Sequence, residues 1–96
     1  MLEVRQTASY SAWISGLRDQ RAVARIEIRI RRLSLGNPGD VKSVGEGVSE
    51  LRVDYGPGYR VYFTSRGGTI VILLCGGDKR TQAADIAAAK RMAKDL

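Results

Sequence analysis

Residues 45–65 read GEGVSELRVDYGPGYRVYFTS, and the period of this stretch decides the fold. Leu51, Val53 and Tyr55 alternate with Glu50, Arg52 and Asp54; past Gly56-Pro57-Gly58, Tyr59, Val61 and Phe63 alternate with Arg60, Tyr62 and Thr64. A period of two assigns each set to its own face of a strand, and Gly-Pro-Gly supplies a tight turn between the two runs. The stretch predicts a hairpin of strands 48–55 and 58–65. Its apolar sets face helices, and Glu50, Arg52, Arg60 and Tyr62 cluster on an open, solvated face.

The same signals continue outward. Residues 41–45 and 69–75 are β-type runs set off by Gly45-Glu46-Gly47 and Gly67-Gly68, which makes the second half of the chain an antiparallel meander. Upstream, residues 2–6 alternate like a short strand, and Thr7 or Ser9 can cap a helix whose apolar face is Tyr10, Trp13, Ile14 and Leu17. From Arg21 to Leu35, Val23, Ile26, Ile30 and Leu33 recur at helical spacing, with Arg25, Arg29 and Arg32 on a neighbouring face. Residues 26–31 also alternate as a half-buried strand would, but the length of the run and its four-residue apolar stripe favour helix. Gly36-Asn37-Pro38-Gly39-Asp40 ends that helix. After Gly76-Gly77-Asp78-Lys79-Arg80, Thr81 can cap a last helix burying Ile86, Ala89, Ala93 and Leu96. The order β-α-α-β-β-β-β-α predicts an α+β fold over residues 1–96 as one domain. Two N-terminal helices and a C-terminal helix are expected on one face of a twisted, largely antiparallel sheet.

Charge and composition narrow the chemistry. Lys and Arg outnumber Asp and Glu by 16 to 10, a formal charge of +6, so the expected partner is polyanionic or acidic. The chain has no histidine, which removes Ser-His and Cys-His nucleophile pairs and the commonest metal ligand; neither a metal nor another cofactor is expected. Its single cysteine, Cys75, sits in an apolar run, which fits buried packing in a reducing cytoplasmic compartment. No apolar stretch approaches the roughly 20 residues of a membrane helix, and the residues after Met1 do not resemble an export signal.

Three constellations carry candidate chemistry. Arg52 and Arg60 suit a phosphodiester, since each guanidinium is permanently charged and donates forked hydrogen bonds to non-bridging oxygens. Tyr62 beside them can stack on a base or move a proton. The competing reading is a set of solvated ion pairs on a sheet face. The stretch Gly76–Gln82 places glycines at a strand end, then Lys79 and Arg80, then a helix N-terminus, as a phosphate-handling loop or a plain connector would. The stripe Arg25, Arg29 and Arg32 reads as a solvated face or as a docking surface for RNA or an acidic segment.

The segments Leu35-Gly36-Asn37-Pro38-Gly39-Asp40, Gly45-Glu46-Gly47-Val48-Ser49-Glu50-Leu51-Arg52, Gly58-Tyr59-Arg60-Val61-Tyr62-Phe63 and Leu74-Cys75-Gly76-Gly77-Asp78-Lys79, with Trp13 on the first helix, resemble the HigB-like branch of the RelE/ParE toxins, the addiction-module killer proteins. The resemblance spans nearly the whole chain in order. It implies a type II toxin neutralised by a helix-turn-helix antitoxin and bound to DNA only through the antitoxin complex. It also implies an activity on the ribosome, a metal-independent cleavage of mRNA in which the 2′-OH attacks the adjacent phosphate. Arg60 matches the arginine of the Tyr-Arg-Val strand motif; Arg52, Tyr62 and Lys79 join it as catalytic candidates by face and proximity, and Arg25, Arg29, Arg32 and Arg80 as RNA-binding candidates. ParE-like members of the same superfamily poison DNA gyrase, and an inactive toxin-like binding module is a third reading, so fold alone does not settle activity.

Overall fold

The computed structural model describes all 96 residues. In chain order they form β1 (Glu3–Gln6), α1 (Ala8–Gly16), α2 (Gln20–Ser34), β2 (Val41–Gly45), β3 (Val48–Val53), β4 (Tyr59–Arg66), β5 (Ile70–Asp78), a single 3-10 turn (Lys79–Thr81) and α3 (Gln82–Lys94). The expected α+β order is the observed one. The sheet runs β1-β5-β4-β3-β2, with β1 parallel to β5 and every other pairing antiparallel. Residues 26–31, ambiguous by pattern, lie within α2. Asp19 starts that helix by accepting from the Arg21 and Ala22 amides, and Gly36, at φ +90°, follows its end.

The helices do not share one face, as expected from sequence; they sandwich the sheet. Tyr10 of α1 and Ala22, Ile26 and Leu33 of α2 pack with Leu51, Val53, Tyr59, Val61, Phe63, Val71 and Leu73. Ala89 and Ala93 of α3 pack on the opposite side with Val48, Tyr62, Leu74 and Cys75. The physical reason lies in β4, where six successive residues, Tyr59–Thr64, are buried. A strand buried on both faces needs cover on both. A bulge in the β4–β5 register between Tyr62 and Phe63 sets Leu74 and Cys75 on the same side, widening the apolar seat of α3. Burial there, with Asp85 nearby, pushes the Cys75 thiol up to about 11, so it stays a neutral packing group.

Strand β5 runs to Asp78, so Gly76 and Gly77 are ladder residues and not the loop expected from sequence. Each leaves room for a neighbour on a different face. A Cβ on Gly76 would lie 2.2 Å from the Trp13 ring, and one on Gly77 would lie 1.9 Å from Asp85 Oδ2. Trp13 is itself held edge-on to Tyr59 and tilted against Tyr10. Gly76→Ala should therefore cost about 1–3 kcal/mol or more through overpacking. Urea unfolding reads this directly; an unchanged midpoint would mean that the indole swings aside freely.

Candidate anion site beneath helix α3

Register brings the predicted cluster together. Antiparallel pairing sets Glu50 opposite Tyr62 and Arg52 opposite Arg60, and the β4–β5 pairing extends that row to Gly77. All four side chains lie on the α3 side of the sheet, because Leu51, Val53, Val61 and Phe63 take the other. The face is not open, however. The first turn of α3 covers it, leaving Glu50 and Tyr62 at 0% exposure and Arg60 at 8%. The expectation that Arg60 stands on a solvated face is corrected accordingly.

Glu50 is the hub of the cluster. Its Oε1 accepts from Arg52 Nε at 2.9 Å; its Oε2 accepts from the Tyr62 hydroxyl at 3.0 Å and from Gln82 Nε2 at 2.8 Å. Burial works against the charged carboxyl, but the bonds from Arg52, Gln82 and Tyr62 and the charge of Arg60 outweigh it and hold the group below the ordinary carboxylate range. Tyr62 responds in the opposite sense: burial first, then its bond to Glu50, push the phenol well above its usual range. A fully buried phenol that donates to Glu50 has no ring face open to an external base. It is a strut for the carboxylate.

Arg60 is the anomaly. Its Nε lies 3.8 Å from Glu50 Oε1, an ion-pair distance without a hydrogen bond, and that nitrogen is buried with no hydrogen-bond partner. A buried N-H left unpaired is uncommon and costly, since it has lost water and gained nothing in exchange. Arg52 beside it keeps 32% of its side chain in solvent, so the two cations form a surface-edged pair with a single carboxylate between them. This pair can grip an anion at the rim of the sheet.

The 3-10 turn closes the same end. The Lys79 amide donates to the Gly58 carbonyl at 3.1 Å, and the aliphatic stem of Lys79 lies where a Cβ on Gly58 would come within 3.3 Å. Its ammonium is thereby carried on an exposed residue next to the strand turn. Arg80 is occupied, bonding the Asp78 carboxylate at 2.9 Å. Thr81 precedes α3 but does not cap it as expected; its hydroxyl donates to Asp85 Oδ2 at 2.6 Å. Gln82, the last residue of the candidate phosphate-handling stretch, instead ties the first turn of α3 to Glu50.

The three arginines of the predicted α2 stripe lie on the other side of the sheet and serve different ends. Arg29 is engaged within the fold, donating to the carbonyls of Arg52, Pro38 and Asp40. Arg25 lies over the Tyr55 ring at 4.6 Å, and Arg32 is exposed. The largest groove, about 520 Å³ between β1, α1 and α2, lies away from the Glu50 cluster. No three His, Cys, Asp or Glu side chains converge in a group that could hold a metal ion, and no helix is long and apolar enough to cross a membrane.

Comparison with known proteins adds kinship. A family described as phage-derived, Gp49-like protein (DUF891) matches residues 12–95. A Haemophilus influenzae protein, described as uncharacterized, is 50% identical over 95 residues, covering 99% of this chain and 96% of that protein. The solution structure of the conserved hypothetical protein HP0894 from Helicobacter pylori shares the fold, with a TM-score of 0.52 at 17% identity over 83% of this chain and 97% of that one.

Proposed function

Because the chain belongs to the Gp49-like family of phage-derived proteins, and carries a nearly buried arginine, Arg60, whose Nε-H finds no hydrogen-bond partner, we propose that it is the toxin of a type II toxin-antitoxin pair. Its activity on this reading is metal-independent endonucleolytic cleavage of mRNA on the ribosome, in the cytoplasm, held in check by a helix-turn-helix antitoxin and brought to DNA only in that complex. One observation carries the reading: the Arg60 guanidinium is nine-tenths buried, beside Arg52, with a buried N-H that no group in the protein satisfies. The rest of the guanidinium keeps the side chain's 10% exposure, and it is there that a phosphodiester oxygen would be met.

The chemistry follows from the charges. Attack of the 2′-OH on the adjacent phosphorus places extra negative charge on the non-bridging oxygens and ends with a 2′,3′-cyclic phosphate and a released 5′-OH. Two fixed guanidiniums stabilise the charge as it develops, and their positions are set in advance by Glu50. Tyr62 and Gln82 keep that carboxylate aimed, so they position the site. Lys79, on an exposed turn beside the cations, is the candidate for moving a proton. Arg80, swinging from Asp78, would meet the RNA backbone next to it. The α2 arginines lie across the sheet and do not reach the same phosphate.

Primer extension on a defined message in a reconstituted translation reaction tests this, with a gyrase supercoiling assay alongside. Wild type is expected to cut only translated message, and Arg52→Ala to cut it roughly 100-fold more slowly, the scale for losing one oxyanion donor. Intact message with inhibited gyrase would replace the nuclease by a gyrase poison; intact message and active gyrase would leave an antitoxin-binding module.

A further inference from the structure

Helix α2 turns an apolar line to solvent through the middle of a basic field. Ala24 and Ile28, four residues apart, share one line of the helix surface, and Leu35 follows at the helix C-cap. Ile28 and Leu35 are each 50% exposed. By the same geometry Arg21, Arg25 and Arg32 form a ridge along one side of that line and Arg31 stands on the other. Ile28 forms the crest between two shallow clefts: one of about 250 Å³ lined also by Arg25, Arg29, Arg32, Val53 and a single carboxylate, Asp54, the other of about 420 Å³ shared with Ala24, Glu27 and Arg31.

Those arginines have no acidic partners. The ion pairs of the protein fall to Arg5, Arg52, Arg60, Arg80, Lys90 and Lys94, and none draws on α2. Arg25 is braced over Tyr55 and so stands ready with little side-chain freedom left to lose. Four unpaired cations flanking two half-exposed branched apolar side chains are a mirror of an acidic amphipathic helix.

We propose that the outer face of α2 docks an acidic amphipathic protein segment, whose apolar side chains cover Ile28 and Leu35 and whose carboxylates meet Arg21, Arg25, Arg31 and Arg32. An RNA backbone would match the charge but leave both apolar side chains uncovered. A second copy of this chain would bring the same arginines against one another at a formal charge of +6 per chain. On the toxin reading above, on which the identity of the partner rests, the antitoxin supplies the segment; the surface chemistry stands apart from whether the chain cuts RNA.

Titration of the full-length, isotope-labelled chain with a synthetic helical peptide, leucines at four- and seven-residue spacing and glutamates flanking them, tests the proposal by amide shifts. An oligoadenylate RNA of similar charge is titrated in parallel. The peptide is expected to shift amides from Ala24 to Leu35, with binding at least tenfold weaker in Ile28→Asp and in Arg25→Glu and weakening with salt. Peptide shifts confined to another surface, or no binding, would overturn it. Shifts of α2 by the RNA with an affinity that Ile28→Asp leaves unchanged would overturn it too, in favour of an RNA surface. Cleavage of message by a chain that fails to bind the peptide would remove the docking site and leave the nuclease standing; peptide binding without cleavage would do the reverse. The spectra of Ile28→Asp are expected to keep the dispersion of the wild type, since this side chain is half in solvent.

Discussion

Glu50→Ala is expected to lower the unfolding free energy by about 3–5 kcal/mol, the range for removing one partner of a buried charge cluster, and to lower the melting temperature by more than about 12 °C for a chain of this size. The reason is the number of donors stranded together. Arg52, Tyr62 and Gln82 each lose a hydrogen bond at 2.8–3.0 Å, and Arg60 loses the only carboxylate within ion-pair distance. Tyr62 is fully buried and has no water to turn to. Glu50→Gln, which keeps the shape and one acceptor oxygen, should cost less than Glu50→Ala. The same carboxylate makes the wild type acid-sensitive. Its folded pKa is depressed below the ordinary value of 4.5, so its contribution is complete above that pH and is lost as pH falls through the lower folded value. Glu50→Gln should show a flatter loss of stability below pH 4.5. Urea unfolding between pH 3 and 7 measures both effects. A cost below about 1 kcal/mol for Glu50→Ala would mean that the cluster is solvated and that α3 does not seal it.

What was legible in the sequence was whatever depends on local period. Alternation in residues 48–65 predicted the hairpin and the shared face of Glu50, Arg52, Arg60 and Tyr62; the register that sets Arg52 opposite Arg60 and Glu50 opposite Tyr62 came from the structure. The length of the run and its four-residue apolar stripe decided for helix over the competing strand, and α2 spans the residues in question. Long-range facts were not legible. Alternation says that Glu50 and Tyr62 share a side, but not that α3 crosses back over that side; this is settled by the second apolar surface of β4 and β5, made of Val48, Tyr62, Leu74 and Cys75. A meander with one polar-looking face invites the assumption that the face is wet, and here charged residues satisfy one another under a helix instead. Gly76 and Gly77 misled for a related reason. Paired glycines suggest a flexible loop, yet each is in the strand because a side chain from a distant helix, Trp13 or Asp85, occupies the space of its missing Cβ. The Arg25, Arg29 and Arg32 stripe was legible as a face but not by role: the carbonyls that Arg29 binds belong to Arg52, Pro38 and Asp40, outside its own helix.

Arg60→Met should leave the protein as stable as the wild type, or slightly more stable, while cutting message 100- to 1000-fold more slowly, the scale for removing a preorganised cationic donor from a developing oxyanion. The two halves of this expectation come from the same geometry. Arg60 is buried, so a solvated-surface argument for an unharmed fold does not apply; the argument is instead that Arg60 contributes little to Glu50. Glu50 keeps Arg52, Tyr62 and Gln82 when the guanidinium is removed, and the lost pair was 3.8 Å long without a hydrogen bond. Methionine fills much of the same volume and relieves the orphaned Nε-H. On the proposed reading, a nearly buried guanidinium whose Nε-H finds no hydrogen-bond partner, kept where an apolar side chain would fit, serves an anion from outside the chain at a cost to stability. Arg60→Lys separates charge from geometry: it keeps the cation but loses the fork, so its cleavage rate should fall between those of wild type and Arg60→Met. Paired measurements of urea unfolding and primer extension read out both terms. Loss of several kcal/mol in Arg60→Met would make Arg60 a structural counter-charge of Glu50, and full cleavage by a well-folded Arg60→Met would remove the arginine from the chemistry and leave Arg52 and Lys79 to account for it.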